Sequence, residues 1–190
     1  MQLKKIIYLP IILALVVEHF FIYQFFVHQD GKIEPTTLAK PQELLSFVAT
    51  FEKGEKINFI PCDTLRFEGI TSAYMAPEYL YGPTFINESL AVLRGLKKTE
   101  VSFLVFSPHT VLDADIVFCV ESGSEKLIYA SKKITQNLEK GKWNKVEVSL
   151  DIDPTILQDK QPLKLGVYLF NGNKQKLFLD NYSVKLLGNL

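Results

Sequence analysis

Histidine, cysteine and tryptophan are scarce in this chain: three, two and one respectively. His19 and His28 lie in or beside its most apolar stretch, which leaves His109 alone in the remainder and removes the basis for a histidine-built transition-metal site. No sign of charge dominates, since 21 Lys and Arg balance 21 Asp and Glu. The electrostatic term that drives DNA and RNA binding is therefore missing, and no nucleic-acid partner is expected. No glycine-rich phosphate loop is present. Ser107-Pro-His109 is a turn with no nucleophile–base arrangement around it. Two carboxylate pairs, Asp113 with Asp115 and Asp151 with Asp153, sit at turns and read as solvated caps before they read as glycosidase acids. The chain is expected not to be an enzyme. Internal repeats and low-complexity tracts are also lacking.

What is there is unevenly spread. The apolar share is 47% of 190 residues, enough for one globular domain, but much of it falls in the first 27 positions. Lys4 and Lys5 precede IIYLPIILALVVEHFFIYQFFV, residues 6–27. As a helix rising ~1.5 Å per residue this run is about 33 Å long, which matches a hydrocarbon core of roughly 30 Å. A secretory signal has an apolar region of only about 7–15 residues and a small-residue cleavage site. Here the run ends in Phe25, Phe26 and Val27, so an uncleaved transmembrane anchor is favoured over a leader. The lysines place residues 1–5 as a cytoplasmic stub, with membrane lipid around residues 6–27 and the rest outside the cytoplasm, in a periplasm or on a cell surface. Glu18, His19 and Gln24 interrupt the span. An acidic group at mid-span costs about 2.5–3.5 kcal/mol on insertion scales. Two explanations stand: a tolerated, protonated Glu18 on a very apolar helix, or contacts from these three residues to a partner membrane protein.

Residues 28–50 contain Gly31, Pro35 and Pro41 and read as a linker, with a short helix starting at Pro41 and running through Val48. From Phe51 the apolar period becomes two. Val101, Phe103 and Val105 share one face, as do Val146, Val148 and Leu150, then Leu163, Leu165, Val167 and Leu169, then Tyr182, Val184 and Leu186. Asp115 to Val120 is apolar on both faces, as a central strand would be. Turn signals separate these runs, and Asn171-Gly-Asn173 predicts a hairpin. Short strands at this spacing predict an all-β sandwich over residues 51–190. Cys119 lies in the central apolar strand, where a thiol behaves as a small hydrophobe. Two free thiols, Cys62 and Cys119, are expected, with a disulfide as the alternative outside the cytoplasm.

Three motifs occur in order: Phe51-Glu-Lys-Gly54, Gly141-Lys-Trp143 before a strand, and Leu179-Asp-Asn-Tyr-Ser-Val184 at the end. Together they resemble the galactose-binding-like jelly rolls of carbohydrate-binding modules, especially those on envelope proteins of Bacteroidota. The resemblance implies a jelly roll. It also implies a structural calcium between Glu52 and Asp180, with carbonyls from the Gly69–Ser72 segment completing the sphere. The alternative is that Asp180 caps backbone amides. On a glycan-binding sheet of this kind, Tyr168 and Phe170, which point away from the core series, and Tyr129 are the candidate ligand-binding residues. Two functions follow: a membrane-anchored, non-catalytic module for a glycan or other envelope ligand, or a structural accessory subunit of a membrane complex.

Overall fold

The structure, a computed structural model, describes residues 40–55 and 57–189. The stub, the span with Glu18, His19 and Gln24, and residues 28–39 of the linker lie outside the described residues. Among the described residues no helix is long and apolar enough to cross a membrane. Ten strands follow one another: β1 (Gln42–Ala49), β2 (Pro61–Cys62), β3 (Ser72–Met75), β4 (Tyr81–Asn87), β5 (Leu96–Phe106), β6 (Val111–Ser122), β7 (Glu125–Asn137), β8 (Asn144–Asp151), β9 (Lys164–Phe170) and β10 (Leu177–Gly188). A five-residue helix α1 (Leu90–Arg94) precedes β5, and a 3-10 turn (Pro154–Leu157) follows β8.

The strands form two antiparallel sheets. The larger has the order β2-β3-β10-β5-β8, with β1 also paired to β10, and the smaller is β4-β9-β6-β7. The chain is thus all-β, a two-sheet sandwich of jelly-roll type. Period two decides which side chains meet between the sheets. Val101, Phe103 and Val105 of β5 are at most 2% exposed and face Leu165, Val167 and Leu169 of β9, which are at most 1% exposed. Burying a side chain of this size contributes about 1.5–3 kcal/mol. Tyr182 is buried in the same layer, and its hydroxyl donates to the Val167 carbonyl at 3.2 Å, tying β10 to β9 across the sandwich. Burial pushes its phenol well above the usual tyrosine range.

Two expectations are corrected. Residues 42–49 are not a helix in a linker but strand β1, paired to β10 from Gln42↔Gly188 to Ala49↔Tyr182. Leu45, Phe47 and Ala49 lie on one side of it, and the Phe47 ring packs 5.1 Å from Phe85. Pairing with a long neighbour outweighs the local helical spacing of Leu44, Leu45 and Val48. The sandwich therefore begins before Phe51. The Asn171-Gly-Asn173 turn does not close a hairpin either, because β9 and β10 belong to different sheets. Asn171 instead rounds a corner between sheets: its Nδ2 donates to Gln175 O at 2.7 Å and its Oδ1 accepts from Gln175 N at 2.9 Å. Gln175 then reaches β6, donating to Val111 O and accepting from Asp113 N, each at 2.9 Å. The hairpin between β6 and β7 does form, turned by Gly123 at φ +59°.

Of the two carboxylate pairs expected at turns only Asp153 lies in one: Asp113 and Asp115 are two residues apart in strand β6, and Asp151 ends β8. Asp113 pairs with Lys133 at 3.2 Å, and Asp115 accepts from the Ser131 hydroxyl at 3.1 Å. Asp153 caps the 3-10 turn by accepting from Thr155 N and Oγ1 at 2.9 and 2.7 Å. Cys62, on β2, and Cys119, on β6, are free thiols in different sheets.

Candidate functional site

Strand β9 presents Leu165, Val167 and Leu169 to the core, so Gly166, Tyr168 and Phe170 face outward. The register of the four strands extends this into rows across the outer face of the smaller sheet. One row is Tyr81, Phe170, Asp115 and Lys133; the next is Thr84, Tyr168, Val117 and Ser131; the third is Ile86, Gly166, Cys119 and Tyr129. Tyr168, Phe170 and Tyr129 therefore share one face, with Tyr129 one strand beyond Cys119. Tyr81 and Tyr129 are 64% and 59% exposed, while Tyr168 and Phe170 are half-buried.

The rings contact one another. Tyr81 lies 5.8 Å from Tyr168, edge to face, and 5.6 Å from Phe170. Burial, then the neighbouring Tyr129 hydroxyl, pushes the Tyr168 phenol up to about 12. It stays protonated and can donate a hydrogen bond at any physiological pH. Cys119, in the floor of the face, points its Sγ at Glu121 Oε1 at 3.4 Å. Burial and that carboxylate raise its thiol pKa, so the thiol sits protonated in the floor. Lys126 lies 5.3 Å from the Tyr129 ring centroid. Tyr81 is absent from the residues singled out by sequence, although it is the most exposed aromatic of the group. It lies on β4, an edge strand in which Pro83 is tolerated, and only the pairing with β9 brings it beside Tyr168 and Phe170.

Glu52 and Asp180 lie elsewhere, around the loop that precedes β3. Asp180 is fully buried on β10; its Oδ2 accepts from Phe67 N at 2.9 Å and Glu68 N at 3.3 Å, and its Oδ1 from Asn181 N at 2.8 Å. Glu52 Oε1 accepts from Ile70 N at 2.6 Å and Thr71 N at 3.4 Å. A Cβ at Gly69, which sits at φ +64°, would overlap that same oxygen. The segment expected to supply carbonyls to a calcium ion thus meets Glu52 with its N–H groups, and the residues just before it, Phe67 and Glu68, meet Asp180 with theirs. Calcium takes about 6–8 oxygen ligands, and among the described residues no group of three or more His, Cys, Asp or Glu is gathered to hold a metal. Amides converging on two carboxylates are donors and do not make up such a sphere.

No family model matches the chain, and no curated protein matches it. Solved structures do match. The CBM22-2 xylan-binding domain from Paenibacillus barcinonensis Xyn10C superposes with a TM-score of 0.52 at 13% identity, over 74% of this chain and 98% of that one. The N-terminal CBM22-1-CBM22-2 tandem domain of the same protein gives 0.50 at 20% identity, over 78% of this chain and 46% of the tandem. At these identities the likeness is one of backbone, and what it carries is the fold: a β-sandwich of the carbohydrate-binding-module kind.

Proposed function

We propose that this chain is a non-catalytic glycan-binding domain, held at a membrane by residues 6–27 and displayed outside the cytoplasm, with the outer face of the smaller sheet as its binding surface. The observation that carries the proposal is the pair of widely exposed rings, Tyr81 and Tyr129, on the same sheet face as Tyr168 and Phe170. Water solvates such rings poorly, while the C–H face of a sugar covers them and its hydroxyls meet the phenol oxygens. The fold supports the proposal without assigning a ligand, because sandwiches of this kind host many functions. An accessory-subunit role would rest on Glu18, His19 and Gln24, for which the described residues offer no further support.

Affinity electrophoresis of the chain from Lys40 onward through gels containing xylan, mixed-linkage glucan or mannan tests the surface. Retardation by at least one polysaccharide is expected, and Tyr81→Ala and Tyr129→Ala should each weaken it by about tenfold, the equivalent of about 1.4 kcal/mol. Unretarded migration in all three would reject the proposal.

A further inference from the structure

The outer face of the smaller sheet has one position without a side chain. Gly166 sits mid-strand in β9, with Lys164 and Tyr168 as its neighbours on that face, Ile86 beside it on β4 and Cys119 beside it on β6. Glycine inside a strand weakens it, through backbone entropy and lost packing, so a reason for it should be visible. Backbone conformation gives none: the glycines at positive φ among the described residues are Gly54, Gly69, Gly123 and Gly141. Crowding gives none either. A Cβ at Gly166 would meet only the Cys119 carbonyl oxygen at 4.0 Å, whereas one at Gly82 would press on the Met75 sulfur at 2.6 Å. The fold accepts a side chain at 166, and the space above it is open.

That space is a bay in the aromatic face. Gly166 and Cys119 form its floor, Tyr168 flanks it, and Ile86 and Tyr129 stand at its ends. The charges around it nearly balance, Lys126, Lys133 and Lys164 against Glu88, Asp113, Asp115 and Glu121. Lys164 pairs with Glu88 and Lys133 with Asp113, each at 3.2 Å; Asp115 accepts from Ser131; Glu121 faces the Cys119 thiol; and Lys126 rests near the Tyr129 ring. A face on which cations and carboxylates nearly balance carries little net field for a charged ligand and suits an uncharged one.

We infer that Gly166 is a specificity-determining position: it opens a bay that seats one ring of a neutral oligosaccharide beside Tyr168, with the phenols of Tyr168 and Tyr129 within reach of its hydroxyls. This rests on the glycan-binding proposal above and adds the ligand's charge class and the position that admits it.

The test is isothermal titration calorimetry of the full chain in a polyoxyethylene detergent, whose head group carries no sugar. The probes are cellohexaose, xylohexaose and mannohexaose, with trigalacturonic acid as the charged comparison. Wild type should bind at least one neutral hexaose and not the acid. Gly166→Ala should stay within about threefold, and Gly166→Val, which fills the bay, should lose at least about tenfold, with both variants melting no lower than wild type. If Gly166→Val melts lower, Cys119→Leu fills the same bay from the neighbouring strand and should show the same loss. Unchanged affinity in a folded bay-filling variant, alongside a loss in Tyr81→Ala, overturns the role of Gly166 and leaves the glycan-binding proposal standing. Binding of the acid alone overturns the neutral ligand. Wild type that binds none of the four probes overturns the glycan-binding proposal and the bay with it.

Discussion

Replacing Asp180 should loosen one edge of the sandwich, and the structure sets the size of the effect. Its carboxylate is fully buried and accepts from the amides of Phe67, Glu68 and Asn181 at 2.9, 3.3 and 2.8 Å. A hydrogen bond to a charged group contributes about 1.5–3 kcal/mol net, and the longest of the three counts for little. Asp180→Ala should therefore cost about 3–5 kcal/mol, and Asp180→Asn, which keeps one acceptor oxygen, roughly half of that. For a domain of this size 1 kcal/mol corresponds to about 2–4 °C in Tm, so Asp180→Ala should melt roughly 6–20 °C below wild type. The protein carries its own local probe. Phe67, on the loop that Asp180 holds, packs edge-on at 6.1 Å against Trp143, the only tryptophan in the chain. Thermal melts of the chain from Lys40 onward, followed by Trp143 fluorescence and by far-ultraviolet circular dichroism, should show the fluorescence of Asp180→Ala changing before the strands are lost. Because amides satisfy the carboxylate, melting of wild type should be the same in calcium and in chelator. A variant that melts with wild type would refute the amide clamp. So would a calcium-dependent rise in wild-type Tm that Asp180→Asn abolishes, which would instead place a cation between Glu52 and Asp180.

Two other outcomes follow from titrating groups. The Tyr168 and Tyr182 phenols are both raised above their ordinary value of 10.0, Tyr168 to about 12. Groups raised on folding contribute stability that is complete below pH 10 and is lost as pH climbs through the folded values. Stability should accordingly fall between pH 10 and about 12, Tyr182→Phe should flatten that slope, and Tyr168→Phe and Tyr182→Phe should each remove a late step from the tyrosinate absorbance of the chain from Lys40 onward; variants that leave the late part of that curve unchanged would contradict it. At the thiols, burial works against ionisation of Cys62, but hydrogen bonds from the Thr64 side chain and backbone and from the Leu65 amide outweigh it and lower its pKa, whereas burial and Glu121 raise that of Cys119. Cys62 should react first with an aromatic disulfide reagent, and Cys62→Ser should remove the fast phase; a fast phase that survives this change would show Cys119 to be the reactive thiol.

The strands with clean alternation were legible because both of their faces have a single fate. In β5 and β9 every second residue is core, and no helical period competes. Strand β1 was not, since Leu44, Leu45 and Val48 fit a helix turn and only the partner β10, more than a hundred residues away, turns the segment into an edge strand. The Asn-Gly-Asn corner shows the same limit: turn chemistry reverses the chain locally, but which strand pairs with which is settled by the two sheets. At the face, the outward direction of Tyr168 and Phe170 followed from their alternation with Leu165, Val167 and Leu169. Tyr81 could not be joined to them without the pairing of β4 with β9. Glu52 and Asp180 meet the loop of residues 67–71 through its N–H groups, where the resemblance implied carbonyls. The polarity of that contact depends on which side of each peptide faces inward, and side-chain sequence does not encode it.

The topology also puts the entry strand and the aromatic face on different sheets. Strand β1, through which the chain enters the sandwich, belongs to the larger sheet and is paired along its length with β10. The aromatic face belongs to the smaller sheet, which takes no strand from before Tyr81. If residues 6–27 hold the chain at a membrane, load from the tether falls first on the pairs of β1 with β10, beginning at Gln42 and Gly188. Opening those pairs exposes Phe47 and the edge of the larger sheet, but it leaves the pairings of β4 with β9 and β9 with β6 in place. A binding surface carried on the sheet without the tether can thus keep its rings in register while the entry strand frays. Tyr182, whose hydroxyl donates to the Val167 carbonyl beside Tyr168, is the point at which such fraying would reach the site.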